Sequence, residues 1–241
     1  MNKYSHIYFE TIDSTNEYLK REYRSLSSYT FISASTQTNG RGRLGRKWLD
    51  EGGKNILFSL LIKDEKLCKN FTSLSILAAV SVLKSLKSYN IDCTIKWPND
   101  VFVNDKKLAG ILLEGISEEG KLTGLIIGVG INVYQKQFLS DYRIDPTSVV
   151  LETNSCVDIE NLRHEIFETL ISDIDLLEKG HNDYLFIARE NNYLLNKKGY
   201  ATINNEEKLV TVLDINDDNT LRVSYENNIY NLLSGEINLK S

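Results

Sequence analysis

The stretch Gly40-Arg41-Gly42-Arg43-Leu44-Gly45-Arg46-Lys47-Trp48 concentrates three glycines and four cations in a chain whose formal net charge is −5. A positive site so compact on an acidic chain suits one small anion better than a polyanion. Glycine lets the backbone approach a ligand closely and aim N–H groups at it. Arginine presents a planar donor fork that matches phosphate or carboxylate oxygens. The chemistry predicted is a loop that closes around a phosphate-bearing small molecule. The alternative is a solvated loop whose cations repel one another and face water.

Three further clusters could carry chemistry. Asp13-Ser14-Thr15-Asn16 offers side chains that can hydrogen-bond a polar ligand head at a helix N-terminus, or simply cap that helix. Lys96-Trp97-Pro98-Asn99-Asp100 joins a cation, a rigid turn and two short polar side chains, which either places groups at a cleft rim or makes an ordinary β-turn. In Lys106-Lys107-Leu108-Ala109-Gly110-Ile111-Leu112, a regular strand would set Lys107 on the face of Ala109 and Ile111. An inward lysine needs an anion, because burying an unpaired ammonium is costly. At the wet end of the strand it would need none. Gly124 and Gly128-Val129-Gly130-Ile131-Asn132 put glycines inside an apolar run, where they weaken a strand unless something approaches closely or the strand bulges. His6, His164 and His181 lie outside every cluster, so no histidine base is expected.

The elements that must position these groups follow from periodicity and punctuation. Strands are predicted over Tyr4–Glu10, Thr30–Ala34 and Asn55–Ile62, with the Gly/Arg loop after the second. Ser14 followed by Glu17 reads as a capping box that opens a helix. Leu74, Leu77, Ala78, Ser81 and Val82 share one face of a helix over Ser73–Tyr89. Strands over Thr94–Lys96, Val101–Val103 and Lys107–Gly115 follow, the last two joined by the turn Asn104-Asp105. Leu122–Val133 is the longest apolar run, suited to a central strand. After a weakly patterned Tyr134–Val157, helices are predicted over Ile159–Glu178 and Asp183–Asn191. From about Asn196 the texture changes to four short strands, Gly199–Ile203, Leu209–Ile215, Leu221–Tyr225 and Ile229–Leu233, separated by Asn/Asp turns. That spacing suggests a small appended β-barrel.

Composition excludes several classes. A pI near 5.4 argues against a general nucleic-acid coat. The N-terminus lacks a signal-peptide apolar stretch. No run approaches the roughly 18–20 apolar residues of a membrane span. Cys68, Cys93 and Cys156 have no metal-ligand spacing and suggest incidental thiols in a reducing cytoplasm.

Taken in order, these segments resemble the biotin–protein ligases, also called biotin–[acetyl-CoA-carboxylase] ligases, from about Phe9 to Asn238. The resemblance rests on Asp13-Ser14-Thr15-Asn16, Gln37 with Gly40–Trp48, Lys96–Asp100, Lys107-Leu108-Ala109-Gly110-Ile111-Leu112-Leu113-Glu114 and Gly128–Val133, with a weaker match at Gly235-Glu236-Ile237. It implies an α+β fold: a catalytic domain over 1–195 with a mixed central sheet flanked by helices, then a small C-terminal SH3-like β-barrel over 196–241. It also implies a reaction in which ATP, with Mg²⁺, activates biotin to biotinyl-5′-AMP. A lysine of a biotin carboxyl carrier domain then takes the biotin.

By that resemblance Ser14, Thr15, Asn16 and Gln37 hold the biotin head, with Gly110 beside it, and Arg41, Gly42 and Arg43 close over biotin and the adenylate phosphate. Lys107 faces the carboxylate and α-phosphate. Arg43, Arg46, Trp48, Lys96, Asn99, Lys107 and Asn132 serve ATP or its metal. Lys107, Arg43 and Asp100 are the catalytic candidates, Asp100 as acceptor of a proton from the incoming lysine. Which residues would ligate the metal is left open.

Some members of this family carry a DNA-reading module ahead of the catalytic domain. Here the pattern starts within ten residues of Met1, so a repressor role and a nucleic-acid partner are not expected. Neither is a membrane partner, while free sheet edges allow a homodimer. The nearest rival is a lipoate–protein ligase, from which the Arg-Gly-Arg-x-Gly-Arg-Lys-Trp loop and Lys-Trp-Pro-Asn-Asp differ in favouring the biotin branch. A nucleic-acid module using the basic loop conflicts with the acidic chain, and a non-catalytic biotin sensor conflicts with the complete set of catalytic candidates.

Overall fold

The computed structural model describes residues 3–138, 144–153, 156–233, 235 and 237–239. Its elements run β1 (Ser5–Ile12), α1 (Thr15–Arg21), β2 (Thr30–Gln37), β3 (Asn55–Ile62), α2 (Glu65–Cys68), α3 (Phe71–Lys87), β4 (Thr94–Lys96), β5 (Asp100–Val103), β6 (Lys106–Glu118), β7 (Lys121–Asn132), α4 (Val149–Thr153), α5 (Ile159–Glu178), α6 (Asp183–Glu190), β8 (Lys198–Ile203), β9 (Glu206–Ile215), β10 (Leu221–Tyr225), β11 (Asn228–Leu232) and β12 (Asn238–Leu239). Seven strands form one sheet in the order β1-β2-β3-β7-β6-β5-β4. Only β1 and β2 run parallel there, so the sheet is mixed, and the apolar run β7 lies at its centre, as expected.

Alternation along β3 and β7 divides the sheet into two faces. Ile56, Phe58, Leu60 and Ile62 of β3 join Leu125, Ile127, Val129 and Ile131 of β7 in the main core, beneath α3 and α5. Helix α3 departs from the one-sided burial its periodicity predicts. Every residue from Leu74 to Leu83 is buried, because the helix lies between the sheet and α5 and α6. Polar residues on its outer side are paired: Ser81 Oγ donates to Asp173 at 2.7 Å, and Lys84 reaches the same carboxylate. Phe167 of α5 stacks on Phe31 with centroids 3.9 Å apart, closing the core from above.

The C-terminal strands form a second, antiparallel sheet in the order β11-β10-β9-β8-β12, consistent with a small SH3-like domain. Gly199, Ala201 and Ile203 point inward at every second position, and Val210, Val212, Leu221 and Val223 complete the layer. A register shift beside Arg222 returns Ile215 to the buried side. Two-residue β12 went unpredicted, being too short to show alternation. Cys68 and Cys93 are buried free thiols and Cys156 is exposed. Among the described residues no helix is long and apolar enough to cross a membrane.

Candidate active site

The second face of the large sheet changes character along its length, and that change makes the site. At one end Ile32, Leu61 and Ile126 pack against Leu19 of α1. Toward the other end the cross-strand pairs become Ser59–Gly128, Leu57–Gly130, Leu112–Gly128 and Gly110–Gly130, so the surface falls away where side chains are missing. What fills the approach is visible. A Cβ on Gly128 would lie 2.3 Å from Asn16 Oδ1, and one on Gly130 would lie 2.6 Å from the Trp48 ring. Gly128 and Gly130 are therefore explained by close approach rather than by a bulge, whereas Gly124 adjoins a register shift between β6 and β7.

Two adjoining cavities open on this face. The smaller, about 30 Å³, is lined by Ser14, Thr15, Asn16, Gln37, Phe58 and Gly128, among others. The larger, about 180 Å³, is lined by Gly42, Arg43, Arg46, Lys96, Asn99, Asp100, Lys107 and Asn132. Arg41, Trp48, Gly110 and Leu112 border both. Every site residue singled out from the sequence lines one cavity or the other, and the three histidines line neither.

Local sequence explains how each group arrives. Ser14 is the N-cap of α1, accepting from Glu17 N at 3.5 Å. The reciprocal half of the expected capping box is missing: the Glu17 carboxylate turns to Lys20 and Arg41 instead. Burial would raise the Glu17 carboxyl, but Lys20 and Arg41 hold it below its ordinary value. Thr15 donates from N–H and hydroxyl to Gln37 Oε1 at 2.7 and 3.1 Å. Ser59 donates to Thr15 Oγ1 at 2.6 Å and also lies against Asn16 Oδ1. Asn16 Nδ2 donates to Glu114 at 2.8 Å, which fixes the amide's orientation.

Lys107 does not share a face with Ala109 and Ile111, as a regular strand would require. The β5–β6 register shifts so that Val101 pairs with Ala109 and Phe102 with Lys107. One extra residue, Leu108, reverses the alternation and turns Lys107 onto the Gly110 face. Ala109 and Ile111 stay in the core, while the Lys107 ammonium meets Asp100 at 2.7 Å. The anion that an inward lysine needs is thus on the adjacent strand. On its other side the Lys107 backbone is held by Asp145 O and Thr147 N at 2.8 and 2.9 Å.

Asn99 is held by Ile111 O at 2.9 Å and accepts from Arg43. Asn132 Nδ2 donates to Thr147 O at 2.9 Å. The Gly/Arg loop folds back through Gly42 N to Arg46 O at 2.8 Å and Trp48 N to Gly40 O at 3.0 Å. Leu44 and Gly45 adopt left-handed φ of 56° and 74° at its tip. Among the described residues Trp48 Nε1, which is buried, has no hydrogen-bond partner.

Residues 8–132 match the biotin/lipoate A/B protein ligase family. The chain belongs to that family. It is 28% identical over 232 residues to the bifunctional ligase/repressor BirA of Salmonella typhimurium, a match spanning 95% of this chain and 72% of that protein. It is 32% identical over 157 residues to the biotin–[acetyl-CoA-carboxylase] ligase of Paracoccus denitrificans, covering 61% of this chain and 64% of that one. Among solved structures, a biotin protein ligase from Aquifex aeolicus in complex with biotin and ATP superposes with a TM-score of 0.87, at 26% identity and over 98% of both chains. The fold is that of a biotin protein ligase, and the protein is an enzyme of this ligase family.

Several ligase residues escaped the sequence reading. Ser59 organises the smaller cavity from a strand far from Thr15, its only signal being polarity inside the apolar run Asn55–Ile62. Glu114 closes the Lys107–Glu114 motif, but no role at Asn16 was assigned to it from the sequence. Phe138, Ile144 and Pro146 form an apolar wall of the larger cavity from a segment without periodicity. Gly235, Ile237 and Asn238 bring the C-terminal chain to the same cavity, while Glu236 of that weakly matching segment lies outside the described residues.

Proposed function

We propose that the protein activates biotin with ATP to biotinyl-5′-AMP and transfers it to a lysine of a biotin carboxyl carrier domain. The observation that carries this reading is the junction at Gly110 and Trp48. There a small cavity lined by hydrogen-bonding groups shares its border with a larger one lined by Arg43, Arg46, Lys96 and Lys107. Biotin's uncharged ureido head suits the first and the triphosphate suits the second. The two reacting groups then meet near Lys107.

In the first step a biotin carboxylate oxygen attacks the α-phosphorus, the bond to the β-phosphate oxygen breaks, and pyrophosphate leaves with the electron pair. Two anions must meet, and fixed cations in a shielded site offset their repulsion. In the second step the carrier lysine amine attacks the acyl carbon, the C–O bond to phosphate breaks, and AMP leaves. Asp100 stands at the cavity wall as the acceptor for the amine proton. Positioning and electrostatics supply the catalysis without a covalent enzyme intermediate.

Mg²⁺ fits as a companion of ATP. Asp100 is the only carboxylate among the described lining residues of the larger cavity, and it already holds Lys107. Mg²⁺ bound through substrate phosphates, water and at most one carboxylate suits that donor set. When bound it would neutralise phosphate charge; Asn99, Asn132 and Arg46 would orient the nucleotide.

The deciding experiment is biotin transfer to a purified carrier domain, with and without ATP, alongside pyrophosphate exchange with biotin against lipoate. Exchange with lipoate but not biotin would overturn the biotin assignment.

Two predictions concern the loop. Amides of Thr38–Trp48 will exchange rapidly in the free enzyme and slow on adding biotinyl-adenylate, because beyond Asn39 the segment's backbone hydrogen bonds are local, from Gly42 to Arg46, Arg46 to Arg43 and Trp48 to Gly40, and its cations repel. Strong, equal protection in both states would refute this. Arg41→Ala and Arg43→Ala will each leave the fold intact and raise release of biotinyl-AMP roughly fivefold, about 1 kcal/mol of lost ion-pairing at partly exposed side chains. Released adenylate measured during turnover without carrier tests it.

A further inference from the structure

The turn between β9 and β10 reaches out of the C-terminal sheet and touches the wall of the larger cavity through one residue. Asn219 is buried and adopts a left-handed φ of 67°, which asparagine tolerates better than most residues. Its backbone carbonyl accepts the indole N–H of Trp97 at 3.0 Å. Its side chain is saturated by two helices: Oδ1 accepts from Tyr184 of α6 at 2.8 Å, and Nδ2 donates to Ser73 of α3 at 2.9 Å. Trp97 is itself buried, at 2% exposure, and it sits between Lys96 and the Pro98-Asn99-Asp100 segment, all of which line the cavity. Ser75 of α3 holds Pro98 O at 2.9 Å from the same side.

These contacts form a chain of fixed geometry. Tyr184 and Ser73 set the Asn219 side chain, which sets the turn and thereby its carbonyl. The carbonyl holds the Trp97 ring, and Trp97 anchors the residues that present Lys96, Asn99 and Asp100. Tyr184, Ser73 and Asn219 line neither cavity and act on it only through Trp97. A buried indole N–H is costly to leave unpaired, so the ring will follow its acceptor when the turn shifts.

We propose that Asn219 is a positioning residue through which the C-terminal sheet sets the geometry of the ATP-binding wall. The proposal rests on the biotin–protein ligase reading above. It separates the two substrates: Thr15 and Asn16 are tied to Gln37, Ser59 and Glu114 and not to Trp97 or Asn219, so biotin affinity should depend on this chain far less than ATP binding does.

The test uses the full-length protein and three variants. Asn219→Gly keeps the carbonyl and permits the left-handed backbone while removing both side-chain bonds. Tyr184→Phe removes one of them. Asn219→Asp keeps an acceptor for Tyr184 and offers Ser73 a hydroxyl acceptor, so it should restore function. In biotin-dependent pyrophosphate exchange, Asn219→Gly should raise KM for ATP about tenfold, the scale of one lost hydrogen bond, and Tyr184→Phe somewhat less. Biotin Kd by calorimetry should change less than twofold, and Asn219→Asp should return KM to near the wild-type value. In a Trp48→Phe background Trp97 is the sole tryptophan, and Asn219→Gly should shift its emission to the red. Unaltered ATP kinetics and emission would overturn the proposal, as would parallel losses of ATP and biotin binding, which mark a merely structural residue. A wild-type protein without biotin-dependent exchange would overturn the ligase reading and this proposal together. Wild-type exchange with normal ATP kinetics in Asn219→Gly would overturn this proposal alone.

Discussion

Lys107→Ala will cut the rate of adenylate formation roughly a hundred- to thousand-fold, while biotin affinity falls far less. A positioned donor matters most where charge develops, and removing one such group costs about 2.7–4 kcal/mol in related electrostatic sites. Lys107 meets the conditions for that effect. The bulge at Leu108 turns it from the core onto the cavity face, Asp100 fixes its ammonium at 2.7 Å, and the Asp145–Thr147 segment fixes its backbone. Arginine will not rescue fully. A methyl built on Gly110 would lie 3.1 Å from the ammonium and 3.2 Å from the Trp48 ring, so the space around the ammonium is narrow, and a planar fork needs more room. The fold should persist, because the Lys107–Asp100 pair is partly open to solvent, with side-chain exposures of 27% and 13%. Rapid-quench adenylation and calorimetric biotin affinity for wild type, Lys107→Ala and Lys107→Arg decide it. Normal adenylation with poor biotin affinity would make Lys107 a binding residue only.

The same lysine shows what the sequence could and could not reveal. That Lys107 belongs to the site was legible from its neighbours, but its face was not. Strict alternation places it with Ala109 and Ile111, and only the cross-strand pairing reveals the extra residue. Two strands were legible to the residue for different reasons: Leu221–Tyr225 alternates between buried and open positions, whereas Asn55–Ile62 is a continuous apolar run buried on both faces and bounded by polar residues. Helix α3 was legible as a helix but not as one buried all round, since its second partner, α5, lies about ninety residues further on. The motif residues of the loop and of Lys96–Asp100 stood out because glycine, arginine and proline are unusual choices for a structural segment. Ser59 and Asn219 did not, and Glu114 stood in a matching motif without a role, since each acts through partners distant in sequence.

Gly128→Ala will weaken biotin binding roughly 5–150-fold with little change in turnover at saturating biotin, the equivalent of about 1–3 kcal/mol of overpacking. The new methyl carbon would lie 2.3 Å from Asn16 Oδ1 and 3.0 Å from both Cγ and Nδ2. Asn16 cannot step aside freely: it is 4% exposed, its Oδ1 faces Ser59, and its Nδ2 is bound by Glu114. The amide must rotate or withdraw, and either movement disturbs the ring of groups around the smaller cavity. Gly124→Ala is the internal control. It lies on the same strand and face, but its methyl would meet the Tyr23 ring at 2.6 Å, away from both cavities. That variant should lower Tm and leave biotin affinity unchanged, since Tyr23 acts as a hydrogen-bond donor to Thr123 O at 2.7 Å and lines neither cavity. Calorimetric affinity and thermal melts for both variants separate the cases. Equal losses of biotin affinity at the two positions would mean that sheet distortion, and not Asn16, governs the smaller cavity.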